Sequence, residues 1–393
     1  MSDLLRSTMS ARLAKLPMDL PPLSAEEEAE LEESESGDAL GSLPGYRGLG
    51  PPAIPRQAGG SKTRTAKKPP NPDFAPISGA DYFSEALQVA VPGRQLDCRV
   101  YYTPPKDANG TVLVCHHGAG YAGLSFASLA QELVGMSRGE VGVMSIDARR
   151  HGKTKSTQDK EDENLEIGVL VEDFLHILCA VWAQAATAPT LLLVGHSMGG
   201  SVVTRAVPRI QEAGYRVSGI AVLDVVEGTA IDALPHMHSL LNARPDGFDS
   251  VEEAVEWHFK TKTIRNSHSA RVSVPGIFVP APSSASTAAP HAYLWRTPLR
   301  STAPYWQGWF SGLSAAFLQA RTARLLVLAG TDRLDKELMI GQMQGKFQLA
   351  VVSGVGHVLH EDDPMQVAEI LLEFWRRNDR LRMPVKVKTV GEA

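Results

Sequence analysis

In Gly195-His196-Ser197-Met198-Gly199 a serine stands two residues from a glycine on either side. That G-x-S-x-G spacing suits a sharp strand-to-helix turn that lifts a hydroxyl clear of the backbone. The chemistry open to such a hydroxyl is nucleophilic attack on an acyl carbon, and it needs a base to take the proton. His357, in Gly354-Val355-Gly356-His357-Val358, is placed for this: it follows the last strand-like segment, as the chain order nucleophile, acid, base requires. His360 sits beside Glu361 and Asp362 and reads as structural. A carboxylate must orient the imidazole, and two aspartates stand at strand ends, Asp224 and Asp332. Each is placed to reach the ring, and Asp332 holds the commoner position.

A tetrahedral intermediate also needs donors for its oxyanion. One is the backbone N–H of Met198, the residue after the nucleophile. The second is assigned to Ala119 in His117-Gly118-Ala119-Gly120, which follows a strand as the donor loop of esterases does. Asp147-Ala148-Arg149-Arg150-His151-Gly152 occupies the next strand-end loop and reads as a brace for the rim. No HExxH helix, GxxxxGK[ST] loop or GxGxxG opening is present, so no metal and no nucleotide cofactor is called for. Water suffices as second substrate.

These residues must be held by strands and helices in alternation. Apolar runs at 111–115, 141–146, 190–194, 219–223, 324–328 and 347–352 read as buried strands, separated by helical patterns such as Leu170, Phe174, Leu175, Leu178 and Val181. Alternation of this kind builds a mostly parallel sheet covered by helices on both faces. A C-terminal helix is expected from Pro364 to about Arg377. Residues 229–320 form an insertion between the sixth and seventh strands. Its middle, 280–290, is almost wholly Ala, Ser, Thr and Pro and reads as an exposed, mobile loop. Residues 1–71 are rich in Pro, Ser, Gly and charge and read as an unstructured tail, leaving 72–393 as one catalytic domain.

The chain has 393 residues, 43% hydrophobic and 21% charged, with a formal net charge of -5. There is no basic excess to attract nucleic acid or an anionic membrane surface. Three scattered cysteines, Cys98, Cys115 and Cys179, fit a reducing compartment. With no run of roughly 20 apolar residues, and no apolar leader at the N-terminus, the expectation is a cytoplasmic or nuclear protein with no membrane partner.

Longer strings narrow the reading. Asp224-Val225-Val226-Glu227-Gly228-Thr229-Ala230, Ile264-Arg265-Asn266 with Ser269-Ala270-Arg271-Val272-Ser273, and Tyr305-Trp306 with Gly308-Trp309-Phe310 resemble the protein phosphatase methylesterases, as does Asp332-Arg333-Leu334-Asp335-Lys336 with 341–348. The resemblance covers about 74–377. It implies an α/β-hydrolase fold with a lid between strands 6 and 7. It also implies hydrolysis of the methyl ester on the C-terminal leucine of the protein phosphatase 2A catalytic subunit, with no cofactor. It assigns the acid to Asp224 rather than Asp332, and substrate contacts to Gly118, Gly120, Arg265, Trp306 and Trp309. Alternatives are a carboxylesterase for small esters and a non-catalytic inhibitor that clamps the phosphatase.

Overall fold

The computed structural model describes residues 69–158, 164–282, 291–330 and 334–379. The expected tail up to residue 68, Asp332 and residues 283–290 of the low-complexity stretch lie outside these.

Eight strands make the main sheet: β1 (Glu85–Val91), β2 (Leu96–Thr103), β3 (Thr111–His116), β4 (Val141–Ile146), β5 (Thr190–His196), β6 (Val217–Leu223), β7 (Ala323–Leu328) and β8 (Gln348–Val351). Their spatial order is β1-β2-β4-β3-β5-β6-β7-β8, with the two-residue strand Lys155–Ser156 beside β2. The first hairpin is antiparallel and β2 runs antiparallel to β4, while every pairing from β4 to β8 is parallel. Every residue of β3, β4, β5 and β6 is buried. Burial on both faces is what a parallel sheet sandwiched between helices demands.

The period-2 alternation of side chains divides this apolar content between two cores. Val112 and Val114 of β3 pack with Leu170 and Phe174 of α2 (Ile167–Val181) and Val202 and Val203 of α3 (Met198–Glu212). Leu113 and Cys115 point the other way, toward Leu129 and Leu133 of α1 (Ala127–Met136) and the C-terminal helix Pro364–Asp379. The mostly parallel, helix-flanked sheet is the expected fold class.

Between β6 and β7 the insertion folds as helices α4 (Glu227–Ala243), α5 (Val251–Lys260), α6 (Ser267–Ser273), α7 (Trp306–Phe310) and α8 (Leu313–Gln319), with a small three-stranded sheet whose first strand lies between α4 and α5 and whose other two lie between α6 and α7. The small sheet pairs Tyr293–Trp295 with both Gly247–Phe248 and Phe278–Pro280. Pro280, expected in the loop, therefore ends a strand. Phe248, Val255, Ile264, Val274 and Phe278 give this region a core of its own. Among the described residues no helix is long and apolar enough to cross a membrane.

Candidate active site

The backbone at Ser197 is tightly constrained. The residue lies between β5 and α3 with φ 52° and ψ −121°, a left-hand conformation that costs an L-residue on the order of 1–3 kcal/mol and persists only where its surroundings impose it. Neighbouring backbone imposes it here. A Cβ on Gly195 would stand 2.3 Å from the Gly199 carbonyl oxygen, and one on Gly199 2.1 Å from that of His116, so both positions exclude a side chain. The Ser197 N–H donates to the Leu223 carbonyl at 3.0 Å, tying the turn to the end of β6.

Asp224 is the next residue after β6 and is also left-handed, with φ 50°. Its N–H donates to the Val327 carbonyl at 2.8 Å, which locks it between β6 and β7. The buried carboxylate is used at both oxygens: Oδ1 accepts the Ala329 N–H at 2.8 Å, and Oδ2 accepts the Nδ1–H of His357 at 2.7 Å. A proton held on Nδ1 leaves Nε2 as the basic nitrogen. Of the two candidate acids, Asp224 meets His357, while Asp332 lies outside the described residues.

The His357 loop is fastened from behind. His196 Nε2–H donates to the His357 carbonyl at 2.8 Å. Asp362 accepts the Gly356 N–H at 2.7 Å and the Arg265 N–H at 2.6 Å, and the Arg265 guanidinium donates to the Gly354 carbonyl at 2.9 Å. Arg265, expected at the substrate, thus braces the histidine loop and does not line the cavity that holds Ser197 and His357. Those two side chains share that cavity without a direct hydrogen bond, the loose geometry common before substrate is bound.

The donor loop is oriented by buried histidines. His117 Nδ1–H donates to the Gly118 carbonyl at 2.7 Å, and its Nε2 accepts the Ala148 N–H at 3.0 Å. His151 Nδ1–H donates to the Arg149 carbonyl at 2.8 Å, and its Nε2 accepts the Gly120 N–H at 3.0 Å. One donor and one acceptor per ring fixes each as a neutral tautomer. Burial, the dominant cause, lowers His151 to about 4 and His117 well below the ordinary histidine value. Gly120 is occupied, whereas neither the Ala119 nor the Met198 N–H donates to an acceptor among the described residues. Gly118 lies so close that a Cβ there would meet Ser197 Cβ at 3.2 Å and His196 Nδ1 at 2.8 Å. In the next loop Asp147 accepts the Gly123 and Lys153 N–H groups at 2.7 and 2.6 Å, and Arg149 pairs with buried Asp173 at 2.7 Å. This is the bracing expected of that loop.

The cavity above Ser197 encloses about 370 Å³, within the range of small-ligand pockets. Its floor is Ala119, Gly120, Tyr121, Ser197 and His357, and the insertion supplies walls that include Leu234, Met237, Leu241, Trp306 and Trp309. Both tryptophans are buried; the Trp306 indole N–H donates to Thr302 Oγ1 at 2.8 Å and that of Trp309 to the Leu165 carbonyl at 2.7 Å. Their apolar faces are what they offer the cavity. Among the described residues no group of three or more His, Cys, Asp or Glu side chains converges as a metal site. Two features went unread in the sequence: the bracing role of His117 and His151, and Arg244 in the cavity wall. A histidine in each of two successive strand-end loops was the available signal for the first, and nothing in the spacing marked the second.

Residues 113–370 match the family described as the alpha/beta hydrolase family. The chain is 42% identical to protein phosphatase methylesterase 1 of Cryptococcus neoformans var. neoformans serotype D, the alignment covering 100% of this chain and 96% of that one. It is 41% identical to protein phosphatase methylesterase 1 of Aspergillus fumigatus, over 98% and 92% of the two chains. Among solved structures, E-2-(acetamidomethylene)succinate hydrolase superposes with a TM-score of 0.59 at 17% identity, covering 74% of this chain and 99% of that one. An esterase of M. tuberculosis superposes at 0.54 and 16% identity, over 74% and 91%. At such low identity the two structures speak for the fold alone.

Proposed function

Since this chain belongs to the protein phosphatase methylesterase family of α/β hydrolases and is a serine ester hydrolase, we propose that it hydrolyses the methyl ester on the C-terminal leucine of the protein phosphatase 2A catalytic subunit. Ser197 Oγ attacks the ester carbonyl while His357 Nε2 takes its proton, and Asp224 steadies the imidazolium through Nδ1. The negative charge that develops on the carbonyl oxygen is received by the N–H groups of Met198 and Ala119. Collapse of the tetrahedral intermediate expels methoxide, which leaves as methanol with the proton from His357. Water, deprotonated by the same ring, then attacks the acyl-enzyme, returning Ser197 and releasing the free carboxylate. The observation that carries this reading is the Asp224–His357 pair at 2.7 Å beside the cavity that opens on Ser197.

The test is release of methanol from methylated phosphatase. Ser197→Ala is expected to remove it, along with labelling by a serine-directed fluorophosphonate, by a factor on the order of 10⁴ or more, while the melting temperature holds. Labelling that persists in the variant overturns the assignment.

A further inference from the structure

Charge in the cavity is one-sided. Arg244, the residue after α4, lines it together with Lys262, and among the described residues no aspartate or glutamate does. Its histidines supply no anion: His258 donates Nδ1–H to the Ala254 carbonyl at 2.7 Å and is kept neutral by burial, and His357 is committed to Asp224. The Arg244 guanidinium lies over the Trp295 ring, 3.7 Å from its centroid. That stacking orients the group without neutralising it. Among the described residues it has no hydrogen-bond partner and no carboxylate within ion-pair distance, and the nearby Asp246 is paired with Arg300 at 3.6 Å. Burial, the leading cause, lowers its pKa to about 10, so it is still charged at neutral pH.

Holding a cation in a mostly apolar wall without a counter-ion is unfavourable. The arrangement makes sense where a ligand brings the missing charge. We propose that Arg244 is a specificity-determining residue of this ester hydrolase, receiving a carboxylate side chain that the substrate polypeptide carries close to its esterified, apolar terminal residue. The apolar walls, Leu234, Met237 and Trp306 among them, take the terminal side chain, and Lys262 extends the positive field at the rim. The substrate class is then an acidic peptide methyl ester, not an apolar ester in general. This rests on the peptide-ester reading above and adds a charge requirement to it.

The experiment uses the full-length chain and short peptide methyl esters that share one apolar terminal residue and carry Asp or Asn at each of the preceding positions in turn. At one position the wild type is expected to favour Asp by about tenfold in kcat/KM, mostly through KM, with the ratio shrinking as salt rises. Arg244→Gln should bring the ratio close to one, and Arg244→Lys should keep part of it. Equal kcat/KM for Asp and Asn at every position, or a preference that survives in Arg244→Gln, overturns the proposal. The same peptides titrated against the Ser197→Ala protein by fluorescence anisotropy separate the two readings. Uniform hydrolysis of all the esters sinks the charge requirement and leaves peptide-ester hydrolysis standing. Preferential binding of Asp peptides with no hydrolysis by wild type does the reverse.

Discussion

Ser197 and Asp224 each hold a backbone angle that L-residues rarely adopt, φ 52° and 50°, at the ends of two adjacent parallel strands. Leu234 and Met237, which face the same cavity from the insertion, sit in a helix with Pro235 inside it. On the sheet side, position is imposed by backbone against backbone. On the insertion side it comes from side-chain packing, which tolerates adjustment. On the proposed reading the sheet would carry the chemistry, where an error of about 1 Å is costly, and the insertion would carry selection among substrates. Changes on the sheet side should act on kcat and stability, and changes on the insertion side on KM.

The sharpest way to break this division is to add one methyl group to each region. In Gly199→Ala the new Cβ would stand 2.1 Å from the His116 carbonyl oxygen and 2.7 Å from that of His117. Neither can move without displacing β3 or the donor loop. Loss of fluorophosphonate labelling and at least about 3 kcal/mol of destabilisation in urea titration are expected. Gly308→Ala, in α7, meets nothing within 4 Å and should be neutral or stabilising by about 0.5–1 kcal/mol. Equal damage from the two would erase the distinction.

Next in size is the acid. Asp224→Asn keeps the shape of the side chain but lets the amide nitrogen face Nδ1, favouring the wrong tautomer. By analogy with serine proteases, kcat for ester hydrolysis should fall by on the order of 10⁴ with KM nearly unchanged. Asp332→Asn should change kcat by less than about threefold. A larger loss from the second variant would move the acid to Asp332.

This choice shows where the sequence stopped being legible. The core strands were plain because apolar runs of four to eight residues bounded by loops have few other readings. The elbow at Ser197 was plain because only glycines fit around it. Asp224 and Asp332 each follow a strand, and which one bends back to the ring depends on a φ angle and on the Ala329 N–H, neither of which has a sequence period; only the family resemblance pointed to Asp224. The bracing role of Arg265 was hidden for a related reason. Its partners Gly354 and Asp362 are 89 and 97 residues away, and such long-range pairing leaves no local trace. The insertion was legible as an insertion and little more, since its three-stranded sheet uses strands of two and three residues, too short to show alternation.

The least drastic perturbation is acid, and it too should fall mainly on the sheet side. Burial, the leading cause in each, lowers His116 and His151 to about 4, His360 to about 3, and His117 and His196 well below their ordinary value, all in or beside the catalytic loops. In the insertion His258, at about 3, behaves the same way. For each ring the folded pKa lies below the unfolded value near 6.5. Between those values the unfolded chain binds the extra proton, so the stabilisation is full above about pH 6.5 and is lost as pH falls toward the folded pKa. Three buried carboxyls act oppositely. Burial raises Asp147 to about 6 and also raises Glu361 and Asp362, so these favour the folded state as they protonate. Six rings against three carboxyls leave a net loss of stability with acid, which urea titrations at a series of pH values would measure. His151→Asn should flatten that slope by one ring's share, on the order of 1–3 kcal/mol. Protonating His151 has a second effect: Nε2 would then present a proton to the Gly120 N–H, donor against donor, and release the loop that carries Ala119. Fluorophosphonate labelling of the wild type should therefore fall no later than stability does. His258→Asn should flatten the stability slope by a similar share while leaving the pH profile of labelling where it is. If His258→Asn shifts that profile as far as His151→Asn does, the insertion shares in the chemistry and the division between the two regions fails.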